Sequence, residues 1–249
     1  MTLLSRLSAV FFVLAIPAFL VSSNVRFFAS ETRFYERGFR QNNAAAITGV
    51  SLPELDRAAD ELARYFENDA PLLTTTVQID GQEAPLYNDR EIAHMKDVKT
   101  LMRFVYRLNE FSLAFIITYV SCVYLWTREK SFRTLAAQAL AGVGVGFVAL
   151  AFVGVFAITG FDAAWTKFHQ LVFNNDLWRL DPSRDRLIQM FPEKFWQEST
   201  YIIGGLTLVE VALIVGSALA YLVTTRPSKP TNRHGAPLIR PVGDEPAAP

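Results

Sequence analysis

Residues 135–160, LAAQALAGVGVGFVALAFVGVFAITG, carry no charged side chain. A hydrocarbon core about 30 Å thick is crossed by roughly 20 apolar helical residues, so this stretch is long enough to span a bilayer. Three more blocks are long and predominantly apolar, at 7–28, 104–126 and 201–223. In lipid every backbone polar group must be satisfied within the segment, so each block reads as a helix. Aromatic residues stand at the ends where the headgroups begin: Phe104 and Tyr106, Tyr124 and Trp126, Trp196 and Tyr201, and Tyr221. Gly142 and Gly146 lie one turn apart on the third span, a spacing that admits close helix contact.

The composition agrees. Of 249 residues 51% are hydrophobic and mean hydropathy is +0.21, with the apolar residues gathered into blocks. The 24 basic and 24 acidic residues balance, so no global basic surface for nucleic acid exists. The single cysteine, Cys122, excludes an internal disulfide and a cysteine-rich metal site.

Orientation follows from the loops. Arg128, Lys130 and Arg133 crowd the link 127–134, and Arg226, Lys229, Arg233 and Arg240 follow the fourth span. The positive-inside rule makes these regions cytoplasmic, together with the N-terminus bearing Arg6. Residues 30–103 and 161–200 then face outward. Residues 30–100 hold 13 acidic and 8 basic side chains, a balance compatible with export. The expected division is 1–29 first transmembrane helix, 30–103 cap segment, 104–126 second helix, 127–134 loop, 135–160 third helix, 161–200 cap segment, 201–223 fourth helix and 224–249 tail. A cleaved signal peptide over residues 1–29 would leave this topology unchanged, but Val21–Phe28 offers no convincing small-x-small cleavage site. Six prolines in the last 24 residues, around His234, predict a disordered tail.

The outward segments hold the chemistry. Pro53–Asn68 reads as an amphipathic helix with Leu55, Leu62, Tyr65 and Phe66 on one face. Thr74–Ile79 is β-prone and ends at Asp80-Gly81, a hairpin signal. In LYNDREIAHMKDVKTL, residues 86–101, Asn88 is placed to cap a helix with Glu91 three residues later, a capping box. That helix sets Arg90, His94 and Asp97 on one face and runs on into the second span. The second segment, FHQLVFNNDLWRLDPSRDRLIQMFPEKFW at 168–196, brings His169 to the same side of the membrane. It is dense in aromatics, with Phe168, Phe173, Trp178, Phe191, Phe195 and Trp196 following Trp165. Asp181-Pro182 predicts a short helix, and Phe191-Pro192 another entering the fourth span. Singly, a histidine at an interface is commonly structural and interfacial aromatics form belts. Two histidines converging with carboxylates, arginines and aromatics mark an interfacial site.

The pair LYNDREIAHMKDVK and FHQLVFNNDLWRLDPSRDRLIQMFPEKFW resembles the signature of the bacterial lipoprotein intramolecular transacylase family, and the resemblance extends over residues 5–224. It implies an α-helical integral membrane protein, four transmembrane helices with an extracellular α+β cap, in the bacterial cell membrane. It implies two catalytic histidines, matching His94 and His169, and a diacylated lipoprotein substrate among membrane lipids. The reaction implied moves an acyl chain from the glyceryl sn-2 ester to the α-amine of the N-terminal cysteine, giving a lyso-form lipoprotein without cofactor or metal. Within it His94 is expected as base, oriented by Asp97 or Glu91, and the other histidine as acid or oxyanion donor. Arg90 and Arg179 are expected to contact carbonyls or acids, with Asp176 nearby and Phe168, Phe173 and Trp178 confining the head group.

Two other classes compete. A zinc-dependent membrane hydrolase would use His94 and His169 with Asp176 or Glu91, but no compact H-E-x-x-H motif is present. A non-enzymatic membrane partner or carrier would draw on Glu210 within the fourth span. There a protonated glutamic acid bonding across helices is the simpler account.

Overall fold

The computed structural model describes residues 3–127 and 131–226. The proposed tail from 227 onward, with His234, and the link residues 128–130 lie outside the described residues.

Among the described residues four helices are long and apolar enough to cross a membrane: α1 (Leu3–Ser30), α5 (Asp89–Thr127), α6 (Ser131–Thr159) and α9 (Glu193–Thr224). Between α1 and α5 lie α2 (Thr32–Gln41), α3 (Ala44–Thr48), α4 (Leu52–Glu67), and strands β1 (Thr76–Ile79) and β2 (Gln82–Pro85). Between α6 and α9 lie α7 (Phe161–Val172) and α8 (Arg186–Met190). The chain is thus a multi-pass membrane protein: a four-helix bundle carrying a small α+β cap at one end.

In the bundle α1 packs against α5, α6 and α9, and α6 packs against α9. Phe12, Ile16, Leu20, Leu135 and Val143 form its core. Leu125, Phe152, Leu213 and Val223 point outward and stay exposed, as lipid-facing side chains must. The two glycines on α6 behave as their spacing predicts. A Cβ at Gly142 would stand 2.8 Å from the Val13 carbonyl oxygen, and one at Gly146 2.8 Å from Pro17 Cβ. Gly144 faces open space. Polar residues also join the spans: Asn24 Nδ2 donates to Thr207 Oγ1 at 3.0 Å and Glu210 Oε2 at 2.9 Å. Glu210 therefore bonds across from α9 to α1.

The cap folds around α4. Its apolar face, Leu55, Leu62, Tyr65 and Phe66, is buried against Phe39, Leu86, Met190 and Phe191. The hairpin pairs Val77 with Ala84 and Ile79 with Gln82, turning at Asp80 (φ 52°) and Gly81 (φ 77°). Both turn residues lie in the left-handed region, as a two-residue hairpin with native twist requires.

One expectation holds and one moves. The helix capped at Asn88 runs on into the second span as α5, a single helix of 39 residues, about 58 Å at 1.5 Å per residue. Only about 30 Å of that fits the hydrocarbon, so α5 is long enough to leave a post for the cap outside it. Asp181-Pro182 opens a turn; the helix begins at Arg186 instead. Asp181 Oδ1 accepts from the Ser183 N–H and hydroxyl, while the Asp181 N–H donates to Asp185 Oδ2 at 2.7 Å. These local bonds hold a turn where capping would have launched a helix.

Candidate active site

The first turn of α5 fixes one half of the site. Asn88 Oδ1 accepts from the backbone N–H groups of Arg90 (3.0 Å) and Glu91 (3.1 Å), and Glu91 Oε2 accepts from the Asn88 N–H at 2.7 Å. The capping box is complete. Glu91 Oε1 also accepts from the Leu187 N–H at 2.5 Å, and Asn88 Nδ2 donates to Asp185 Oδ1 at 2.9 Å. This buried knot ties the start of α5 to α8. It also takes Glu91 away from the site: the carboxylate serves two backbone donors and has no bond to His94. Burial raises its pKa above the ordinary carboxylate value, with the neighbouring Asp185 adding to the effect.

Past that cap, along α5, Arg90, His94 and Asp97 share one face and meet the segment 173–178. Arg90 Nη2 donates to the Asp176 carbonyl at 2.6 Å and Nε to the Leu177 carbonyl at 3.4 Å. Asp97 Oδ2 accepts from Asn175 Nδ2 at 2.8 Å. Arg90 and Asp97, expected at substrate and at His94, instead strap this loop across the helix at two levels. Asp97 acts on His94 through its charge alone.

The other half comes from α7. Its second turn presents Trp165, and His169 follows on the same face. His169 Nδ1 lies 2.8 Å from the Trp165 carbonyl oxygen, the geometry of an N–H donating to the preceding turn. In the neutral ring this places the proton on Nδ1 and leaves the Nε2 lone pair free. Around His169 stand Trp165, Trp178, Phe168 and Phe173, with ring centroids at 4.7, 5.0, 5.3 and 5.6 Å. Trp165 stacks on Trp196 at 5.0 Å, joining this wall to the start of α9.

The two imidazoles come together, with ring centroids 6.1 Å apart and Phe173 against both. Both are buried, at 7% exposure. Burial and then the charge of His169 push His94 down to about 4 from 6.5, against a smaller opposing effect of Asp97. Burial also lowers His169, opposed by its bond to the Trp165 carbonyl. Both rings are therefore neutral at pH 7. His94 Nδ1 is buried without a hydrogen-bond partner, a polar atom waiting for one.

Arg179 lies over the Trp178 ring at 5.1 Å and pairs with Asp176 at 3.1 Å, both well exposed. Among the described residues no three His, Cys, Asp or Glu side chains gather to hold a metal ion. Asp176 pairs with Arg179 and Glu91 accepts from the backbone knot.

Trp165, Trp196, Asn175 and the orienting carbonyl were not among the site residues read from sequence. Trp165 was within reach, because it precedes His169 by one helical turn. Asn175 was not, because its partner Asp97 lies far away in the chain.

The sequence model of a family described as lipoprotein intramolecular transacylase Lit matches residues 10–196, three quarters of the chain and every site residue named above. The chain belongs to the Lit family. Solved structures similar to it include the membrane-integral lipoprotein intramolecular transacylase Lit from Bacillus cereus, with a TM-score of 0.70 and 18% identity, covering 89% of this chain and 96% of that one. A histidine-to-alanine variant of the same protein matches with a TM-score of 0.67 and 19% identity, over 89% of this chain and 94% of that one. At such identities the likeness shows a shared Lit fold. An uncharacterized protein of Aquifex aeolicus (strain VF5) is 29% identical over 133 residues, 52% of this chain and 55% of that protein. The match thus spans about half the length of that relative.

Proposed function

We propose that this chain catalyses intramolecular acyl transfer in a diacylated lipoprotein, from the glyceryl sn-2 ester to the α-amine of the N-terminal cysteine. The observation that carries the reading is the buried neutral pair His94 and His169 in a Lit-family bundle. The amine nitrogen attacks the ester carbonyl, a C–N bond forms, the C–O bond breaks, and the lyso-form lipoprotein results. An ester gives way to a more stable amide, and donor and acceptor are one molecule, so neither cofactor nor enzyme nucleophile is required. Holding the two groups in contact supplies about 7–11 kcal/mol of the barrier.

Base and acid fall differently from the sequence expectation. His169, with Nδ1 bound to a carbonyl, offers Nε2 as the base that takes the amine proton. His94, unpartnered at Nδ1, stands to hydrogen-bond the oxyanion, and the imidazolium formed at His169 returns its proton to the departing sn-2 oxygen. Trp165, Phe168 and Trp178 exclude water, which would otherwise hydrolyse the ester. The basic loops favour cytoplasmic termini, which supports a site on the outer face of the bacterial cell membrane.

The test uses purified protein and two synthetic diacyl lipopeptides, one with a free α-amine and one acetylated. The free one should yield a product of identical mass with one chain now resistant to alkaline de-acylation, with or without EDTA. The acetylated one should remain unchanged. Fatty-acid release from the acetylated peptide would refute the transfer.

A further inference from the structure

A recess of about 210 Å³ opens beside the histidine pair, lined by Gln170, Phe173, Asn174, Asn175, Asp176 and Trp178. Its lining differs in kind from the opposite side of His169. There Trp165, Phe168 and Trp196 form an aromatic wall joined to the spans, and Leu171 beside them is 84% exposed. Here four of six residues carry amides or a carboxylate. The recess stands clear of the spans, because its loop is strapped to α5 at Arg90 and Asp97, on either side of His94 and ahead of residue 104.

Resting on the transfer reaction proposed above, we infer that this recess is a peptide subsite, holding the extended backbone of the residues that follow the lipidated cysteine. The substrate has two ends of opposite character. Its acyl chains belong in the bilayer and its polypeptide leaves toward water, and the reacting amine lies where the two join. The histidine pair likewise lies between an apolar wall and an amide-lined recess. An extended backbone presents one N–H and one C=O per residue, which side-chain amides match as donor and acceptor together. The size fits a residue or two: drug-sized ligands occupy roughly 300–1,000 Å³, and only Phe173 and Trp178 would offer an acyl chain an apolar surface.

The lining is preorganised. Asn175 is held by Asp97 and its Oδ1 accepts from the Leu177 N–H at 3.0 Å; Asp176 is held by Arg90 through its carbonyl and Arg179 through its carboxylate. Gln170 Oε1 accepts from Lys167 Nζ at 3.2 Å, leaving its amide N–H groups to donate. Gln170 and Asn174 are exposed and outside the His94–His169 machinery, so they are the residues to change.

The experiment compares a diacylglyceryl-cysteine hexapeptide with the diacylglyceryl-cysteine N-methylamide, both with free amines, on the full chain in nanodiscs. Gln170→Ala with Asn174→Ala should raise KM for the hexapeptide about tenfold, as loss of one or two net hydrogen bonds implies, with kcat held. KM for the methylamide should move less than about twofold, since it lacks the peptide those bonds would hold. Asn174→Asp, which keeps the residue's size, should disfavour a hexapeptide with Asp after the cysteine relative to one with Lys. Equal effects on both substrates, or none on either, would overturn the subsite while leaving the transfer reaction standing. A wild-type protein that converts neither substrate would remove the transfer reaction, and the subsite with it.

Discussion

At the scale of single residues, the two histidines differ in how they are held. His169 has its tautomer set by the Trp165 carbonyl, whereas His94 has a buried, unpartnered Nδ1 and is pushed down to about 4. Replacing either by Ala should lower conversion by about 10²–10⁴-fold, the usual yield of one acid–base group, with membrane insertion intact. Both folded-state pKa values are depressed, so each ring is in its neutral form at neutral pH and is lost to protonation only as pH falls below the ordinary histidine range. The substrate amine, with a pKa of about 8, remains partly protonated at neutral pH. The acid limb of kcat/KM should therefore follow the amine. A lipopeptide whose amine is made less basic by a neighbouring electron-withdrawing group should move that limb downward. A limb fixed near the ordinary histidine value with both substrates would contradict this account.

At the scale of elements, two devices can be separated by mutation. Glu91 closes the knot between α5 and α8 by accepting from two backbone N–H groups. Glu91→Ala should cost about 1–3 kcal/mol for each buried donor left unpaired, read as a lower melting temperature of the purified protein, and Glu91→Gln should cost less because one acceptor remains. In the membrane, α6 approaches α1 at Gly142 and Gly146. Ala at either position must displace backbone or Pro17, and overpacking of this kind costs about 1–3 kcal/mol. Gly144→Ala meets nothing within 4 Å, so it should be neutral or stabilising, because Ala exceeds Gly in helix propensity by about 1 kcal/mol. Thermal unfolding in one detergent compares all three, and equal destabilisation by Gly144→Ala would argue against a specific α1–α6 contact.

At the scale of the whole molecule, the prediction is topological. The cap joins the bundle at one end, and the basic link and tail favour the cytoplasm for the other. On a Cys122→Ala background, Gln82→Cys and Gln189→Cys should react with an impermeant maleimide in intact cells, and Ser131→Cys only after permeabilisation. The reverse pattern would invert the molecule and move the site to the inner face.

The sequence by itself determined the four spans, the amphipathic α4, the hairpin turn at Asp80-Gly81 and the capping box at Asn88 and Glu91. Each rests on interactions within a few residues or on the partition of one segment into lipid, so local pattern suffices. The Lit-like motifs also pointed to His94 and His169 together. Only the tertiary structure decided how the pair is held. His94 and His169 stand 75 positions apart in the chain, and their 6.1 Å separation depends on where the 173–178 loop lands on α5. That landing is set by Arg90 and Asp97, whose partners 176, 177 and 175 no local rule links to them. The same distance hid the true work of Glu91: its capping bond was legible, but its second bond, to Leu187, spans 96 positions. Where local rules failed, at Asp181-Pro182, the buried carboxylate of Asp185 held a turn that the dipeptide alone would have made a helix.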